Sequence, residues 1–120
     1  MAYDEHLADR IRERLQDLTD VYEKEMMGGL VFMVNDKMCV GIIKDEMMCR
    51  IDRSLHEMLV EKNGCRTMEF TKKPMIGYIL VEESAMRSDV EFNYWIELCL
   101  EFNPMAKASK KRSAKKDKHV

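Results

Sequence analysis

Between Val21 and Ile51, short apolar runs are separated by turns of only two or three residues, and no other feature of the chain restricts its fold as much. Val21–Met27 ends at Gly28-Gly29, where the backbone can reverse or bulge without a Cβ penalty. Leu30–Val34 is followed by Asn35-Asp36-Lys37, Met38–Ile43 by Lys44-Asp45-Glu46, and Met47–Ile51 closes the series. Parallel neighbours need crossovers of a dozen or more residues, so connections this short admit only antiparallel pairing. The block is therefore expected to be a meander of three or four strands, with Gly41 allowing another element to approach closely.

Helical spacing governs the flanking segments. Leu7, Ile11, Leu15 and Leu18 fall on one face of a helix expected over residues 4–18, with Asp4 as its N-cap. Residues 52–62 form a second expected helix. Its stripe is Leu55, Met58 and Leu59, its cap is either Ser54, with Glu57 at capping-box spacing, or Asp52, and Asn63-Gly64 is its stop. Cys65–Phe70 and Met75–Val81 read as strands joined by a turn at Thr71-Lys72-Lys73-Pro74. A third helix is expected to start at the Ser88–Glu91 capping box and end at Asn103-Pro104. Phe92, Trp95, Ile96, Cys99 and Phe102 share one of its faces, which is expected to be core. Strands in blocks rather than in strict alternation with helices indicate an α+β fold with a mostly antiparallel sheet. Twelve methionines are read mainly as fillers of irregular core gaps.

Charge divides the chain in two. From Lys107 to Val120 there are seven Lys or Arg and one Asp, a local net of +6, which leaves −8 on residues 1–106. An acidic body does not suit broad contact with phosphate backbones. The end does: Lys107, Lys110, Lys111, Arg112, Lys115, Lys116 and Lys118 are candidate nucleic-acid contacts, with no aromatic residue among them for base stacking. Residues 104–120 are expected to be a disordered basic tail, and residues 1–103 one folded domain. The alternative for the tail is a solvated end with no ligand.

Catalytic patterns are missing. There is no G-x-S-x-G, H-E-x-x-H or phosphate-binding G-x-x-x-x-G-K-S/T, so no catalytic, cofactor-binding or metal-binding residue is assigned. Gly28-Gly29 is read as a bend and not as a ligand loop. Cys39, Cys49, Cys65 and Cys99 form no C-x-x-C, and His6, His56 and His119 are far apart, so neither zinc nor redox spacing is present. The cysteines are expected to be reduced core thiols of a cytoplasmic protein. The longest wholly apolar stretch, Leu30–Val34, is far short of a bilayer span, and the acidic start Met1–His6 does not resemble an export signal.

Two segments carry a family resemblance. Glu25–Gly41, with Gly28-Gly29, Phe32, Asn35 and Lys37, resembles the M-F-G-G-x-x-F-x-x-N-G-K-M segment of the TfoX/Sxy N-terminal domain family. Met68–Tyr78, with Phe70, Thr71, Pro74, Met75 and Gly77, resembles that family's M-x-F-T-x-R-P-M-x-G-F/Y segment. Met1–Glu5 also resembles the start of short stand-alone members, which extends the likeness over residues 1–103. Met27 stands where Phe is usual, Asp36 where Gly is usual, and Lys73 where Arg is common. The resemblance implies the order α-β-β-β-α-β-β-α, similar to the type III secretion chaperone fold, and by analogy with that fold a homodimer.

For function, the resemblance implies a small non-enzymatic regulatory or interaction protein, with transcription or competence as the setting and an unidentified protein as partner. Named members regulate natural competence and carry a second, C-terminal domain that a chain of this length does not accommodate. It implies no cofactor and no catalytic residues. Some short relatives have methyltransferase-like names, but no Gly-rich cofactor loop is present here to match them. Two alternatives stand beside this reading. One is weak, sequence-independent nucleic-acid binding through the tail. The other is an enzyme or small-ligand binder with a deep polar pocket near Gly28-Gly29 or Cys39.

Overall fold

A computed structural model describes residues 3–107. Helix α1 (Glu5–Leu15) leads into four strands, β1 (Val21–Met26), β2 (Gly29–Val34), β3 (Lys37–Ile43) and β4 (Glu46–Arg50). After a 3-10 turn at Arg53–Leu55 come helix α2 (His56–Val60), strands β5 (Cys65–Phe70) and β6 (Lys73–Val81), and helix α3 (Asp89–Phe102). The block order and the α+β class are those expected from the sequence. The early block holds four strands, the number that the residue pattern left open.

All six strands join one antiparallel sheet in the order β1-β2-β3-β4-β6-β5. The first four form a meander, and β6 inserts between β4 and β5. Three hairpin loops hold both residues at positive φ: Met27-Gly28, Asn35-Asp36 and Thr71-Lys72. Such loops match the right-handed strand twist that a two-residue connection must preserve. Gly29 has a different role. A Cβ there would lie 2.0 Å from the Ile42 carbonyl oxygen, so this residue permits the close approach of β2 and β3.

The sheet buries both faces. On one, Leu30, Phe32, Val40, Ile42, Met47, Cys49, Ile79 and Val81 meet α1 through Ile11, α2 through Leu59, and α3 through Trp95 and Ile96. Each large side chain fully buried there contributes roughly 1.5–3 kcal/mol of transfer free energy. A bulge at Phe32/Met33 leaves Cys39 without a partner in β2 and turns both Cys39 and Val40 toward the helices. The opposite face is a second cluster of Val31, Met33, Met48, Met68 and Leu80, with Met26, Met27, Met38 and Met75 packed around it. Long unbranched thioethers can cover one another on a sheet face that no described helix caps.

Several expectations change in detail. Helix α1 stops at Leu15, so Leu18 lies beyond it and is exposed. Asp52 caps the turn before α2 by accepting from the Ser54 amide, which excludes Ser54 from the cap role. The buried positions of α2 are His56 and Leu59, while Met58 faces solvent. Phe92, Trp95, Ile96 and Cys99 are buried as expected, and the Ser88–Glu91 capping box is formed. No described helix is long and apolar enough to cross a membrane.

Candidate functional site

Helix α3 organises two surfaces, one at each end. At its C-terminal end the chain does not leave the body at residue 103. Asn103–Met105 makes a further 3-10 turn, and Ala106 is buried. Asn103 is itself only 3% exposed. Its Nδ2 donates to the Val34 carbonyl at 3.0 Å, and its Oδ1 accepts from Asn35 Nδ2 at 2.9 Å. Lys37 Nζ donates to the carbonyls of Asn103 and Pro104 at 3.1 and 3.2 Å. A cation suits this position, because the last carbonyls of a helix lack partners and carry partial negative charge.

Arg50 on β4 completes this corner. Its guanidinium donates to the carbonyls of Met38 and Lys107 and lies 5.4 Å from the Tyr78 ring and 6.0 Å from the Phe102 ring. The basic tail is thus anchored at its first lysine. Of the tail residues singled out from sequence, Lys107 is exposed and held through its carbonyl. Lys110, Lys111, Arg112, Lys115, Lys116 and Lys118 lie outside the described residues. The anchoring residues Asn35, Lys37, Arg50 and Asn103 were legible only as turn, strand and helix-stop signals. Nothing in a local pattern links residues 68 positions apart.

At the N-terminal end of α3, a groove of about 510 Å³ runs between the turn after α2 and the first turns of α3. Ala85 and Trp95 line it together with Lys62, Val90, Glu91 and Tyr94. Trp95 is fixed by donating from Nε1 to the Ala85 carbonyl at 3.0 Å, and Tyr94 meets it edge to face with centroids 5.0 Å apart. Lys62 Nζ lies 5.4 Å from the Tyr94 ring centroid. Val90 is 81% exposed and Tyr94 40%. The neighbouring flank of α3 is occupied by α1: Arg14 bonds Asn93 and pairs with Glu97, while Arg10 pairs with Asp89 and covers the Phe92 ring.

Among the described residues the buried polar side chains have structural partners. The buried His56 accepts from the Gly77 amide at Nδ1 (2.9 Å), which leaves Nε2 to donate to Thr67 Oγ1 (2.8 Å). All four cysteines are free and buried. Burial raises the Cys39 and Cys99 thiols above their ordinary value and pushes Cys65 up to about 11, the reverse of what a nucleophile needs. Among the described residues no group of three His, Cys, Asp or Glu could hold a metal. The hollow beside Gly28, about 630 Å³, is lined by Tyr3, Met27, Ile43 and Lys44, and Asp4 at its edge is engaged as the cap of α1.

The family model for the TfoX N-terminal domain matches residues 13–103. The likeness at Met1–Glu5 falls outside that match. No curated protein and no solved structure matches the chain.

Proposed function

The chain belongs to the TfoX N-terminal domain family, a regulatory, competence-type family, and from that premise we propose that it is a non-catalytic regulatory module acting by protein contact through its α+β body. The observation that carries this reading is the exposed apolar groove at Val90 and Tyr94. It is built on a rigid helix, whereas the buried polar side chains, His56 and Asn103, are spent on holding the fold. Transcription-related regulation in the cytoplasm is the setting the family suggests. The test is to isolate partners on the full chain and reconstitute the interaction from purified components. A one-to-one complex of defined affinity supports the reading. A partner-free protein that instead turns over a small molecule overturns it.

A second reading has its own observation. Lys37 and Arg50 hold the chain from Asn103 to Lys107 against the body, so the lysine-rich arm has a fixed root. We propose this arm as a weak, sequence-independent contact for nucleic acid. Binding to duplex DNA and RNA, measured across a salt series, should fall steeply with salt. It should disappear when Lys110, Lys111, Arg112, Lys115, Lys116 and Lys118 are replaced by serine. Equal binding by that variant overturns the arm reading.

A further inference from the structure

The sheet face that no described helix caps has a rim that is both basic and aromatic. Tyr78 packs on the Met-lined cluster of this face, to which Met68 belongs, and Arg50 lies opposite Tyr78 across β4 and β6. The irregularity between β5 and β6 takes up its extra residues on β6, so β5 keeps its alternation. Phe70 therefore points to the same side as Met68, and Lys73 is its cross-strand partner. Phe70 is 46% exposed, and Lys72 and Lys73 are exposed beside it. Lys107, where the basic arm begins, is tied to Arg50 through its carbonyl. One surface is thus bordered by the tip of the β5–β6 hairpin, by Arg50 and by the root of the arm.

Positive charge on this rim is left without a counter-charge. Among the described residues, Arg10, Arg12, Arg14, Arg66 and Arg87 each pair with a carboxylate, whereas Arg50 and Arg53 do not. Arg50 donates only through Nη1, and both of its acceptors are neutral carbonyls, so its charge and the donors at Nε and Nη2 remain available. Arg53 donates to the Ile76 carbonyl on the same strand as Tyr78. Lys72, Lys73 and Lys107 also form no ion pair among the described residues. The nearby carboxylates are spent or turned away. Asp52 accepts from the Ser54 amide and hydroxyl, Glu46 pairs with Arg66, and Glu69, between Met68 and Phe70, points to the other side of β5. A body that is acidic as a whole therefore keeps one locally basic strip, and the strip runs into the arm.

We propose that this rim binds single-stranded nucleic acid, with a base stacked on Phe70 and phosphates met by Lys73, Arg50 and Lys107 on the way to the arm. Uncompensated cations call for a polyanion, and an exposed ring among them calls for one with flat apolar faces. The bases of a duplex are stacked inside it and do not reach a ring on a sheet, whereas those of a single strand can be splayed onto it. The arm cannot supply the stacking partner, because Lys107 to Lys118 contains no aromatic residue. The inference rests on the reading of the arm as a nucleic-acid contact. It adds a platform on the folded body and the strand state of the ligand.

The experiment uses the full chain, a labelled oligothymidine, and the duplex it forms with oligodeoxyadenosine, read by anisotropy across a salt series. The single strand should bind more tightly than the duplex. Phe70→Leu, which keeps apolar bulk but removes the ring, should weaken single-strand binding about tenfold without changing the salt slope. Phe70→Tyr should restore it. Lys72→Gln/Lys73→Gln should lower the slope of log affinity against log salt by about 1.4, two phosphate contacts at about 0.7 each. These variants change exposed positions, and their unfolding midpoints should stay close to that of the parent. Equal affinity for duplex and single strand, or an unchanged affinity in Phe70→Leu, overturns the proposal. If the serine variant of the arm loses binding in that same experiment, the arm reading survives without the platform. Absence of binding to either oligonucleotide at low salt overturns both. Polyglutamate that displaces oligothymidine as well as unlabelled oligothymidine does also overturns the proposal, by making an acidic polypeptide the occupant.

Discussion

Asn35 and Asn103, 68 positions apart in the chain, are joined by a hydrogen bond of 2.9 Å where helix α3 meets the β2–β3 hairpin. The same Asn103 amide donates to the Val34 carbonyl, so one side chain satisfies a strand-end acceptor and a turn donor together. Replacing Asn103 by Ala leaves the carbonyl of the buried Val34 without that partner, while the exposed Asn35 amide can turn to water. The expected loss is about 1–3 kcal/mol, read from urea unfolding. Asn103→Asp should also destabilise, because a carboxylate cannot donate to Val34. A variant as stable as the parent would show that water replaces the amide at no cost.

His56 links α2 to two strands through Thr67 and Gly77. Gly77 is held at φ +97°, a backbone conformation that side-chain-bearing residues rarely adopt, and its amide is aimed at the imidazole. His56→Ala should cost about 1–3 kcal/mol by leaving that buried amide unpaired. Hydrogen exchange should show the loss locally, with faster exchange at Gly77 than in the centre of β2.

Thr71 and Lys72 occupy a hairpin loop with both residues at positive φ, where a β-branched threonine is strained. The pair Thr71→Asn and Lys72→Gly matches the residue preference of this turn. It should raise stability by about 0.5–1 kcal/mol, seen as a higher midpoint in thermal unfolding.

The Arg12 guanidinium grips Glu23 with bonds of 2.7 and 2.9 Å and holds its carboxyl below the ordinary value of 4.5. A depressed folded-state value means the pair stabilises the protein above the unfolded carboxyl's range, and the contribution is lost as pH falls through the folded value. Both side chains are about a third exposed, so the effect is small, on the order of a few tenths of a kcal/mol. Glu23→Gln should therefore lower stability slightly at neutral pH. The gap should close in acid, which a pair of pH–stability curves will show.

Cys39, Cys49, Cys65 and Cys99 are buried without a disulfide. A thiol-specific aromatic disulfide reagent should find almost no reactive sulfur in the native protein and all four after denaturation. Rapid labelling of Cys39, Cys49 or Cys99 in the native state would contradict their enclosure between the sheet and α3.

Much of the fold could be read from local pattern because each element carries its own short-range signal. Ser88 and Glu91 announce the start of α3, and its inward residues recur at helical spacing. The hairpin at Asn35-Asp36 follows from turn residues between apolar runs. The misread positions depend on neighbours distant in sequence. Leu18 continues the spacing of α1, but the helix ends at Leu15 and leaves it exposed. Met58 keeps an apolar period in α2, yet β5 and β6 engage the His56 side instead. The candidate surface was only half visible. Tyr94 and Val90 sit in the α3 segment, but their exposure follows from which side of the helix the sheet and α1 take.

By itself, the sequence determined the α+β class, the antiparallel hairpins, the capped helices and the separation of an acidic body from a basic end. Those features come from backbone preferences and periodicities acting over a few residues. The tertiary structure alone decided that Asn35 meets Asn103, that Arg50 holds Lys107, and that α3 keeps one apolar side open. Such contacts depend on how the sheet and helices pack, and neither residue of a distant pair carries a local mark of its partner.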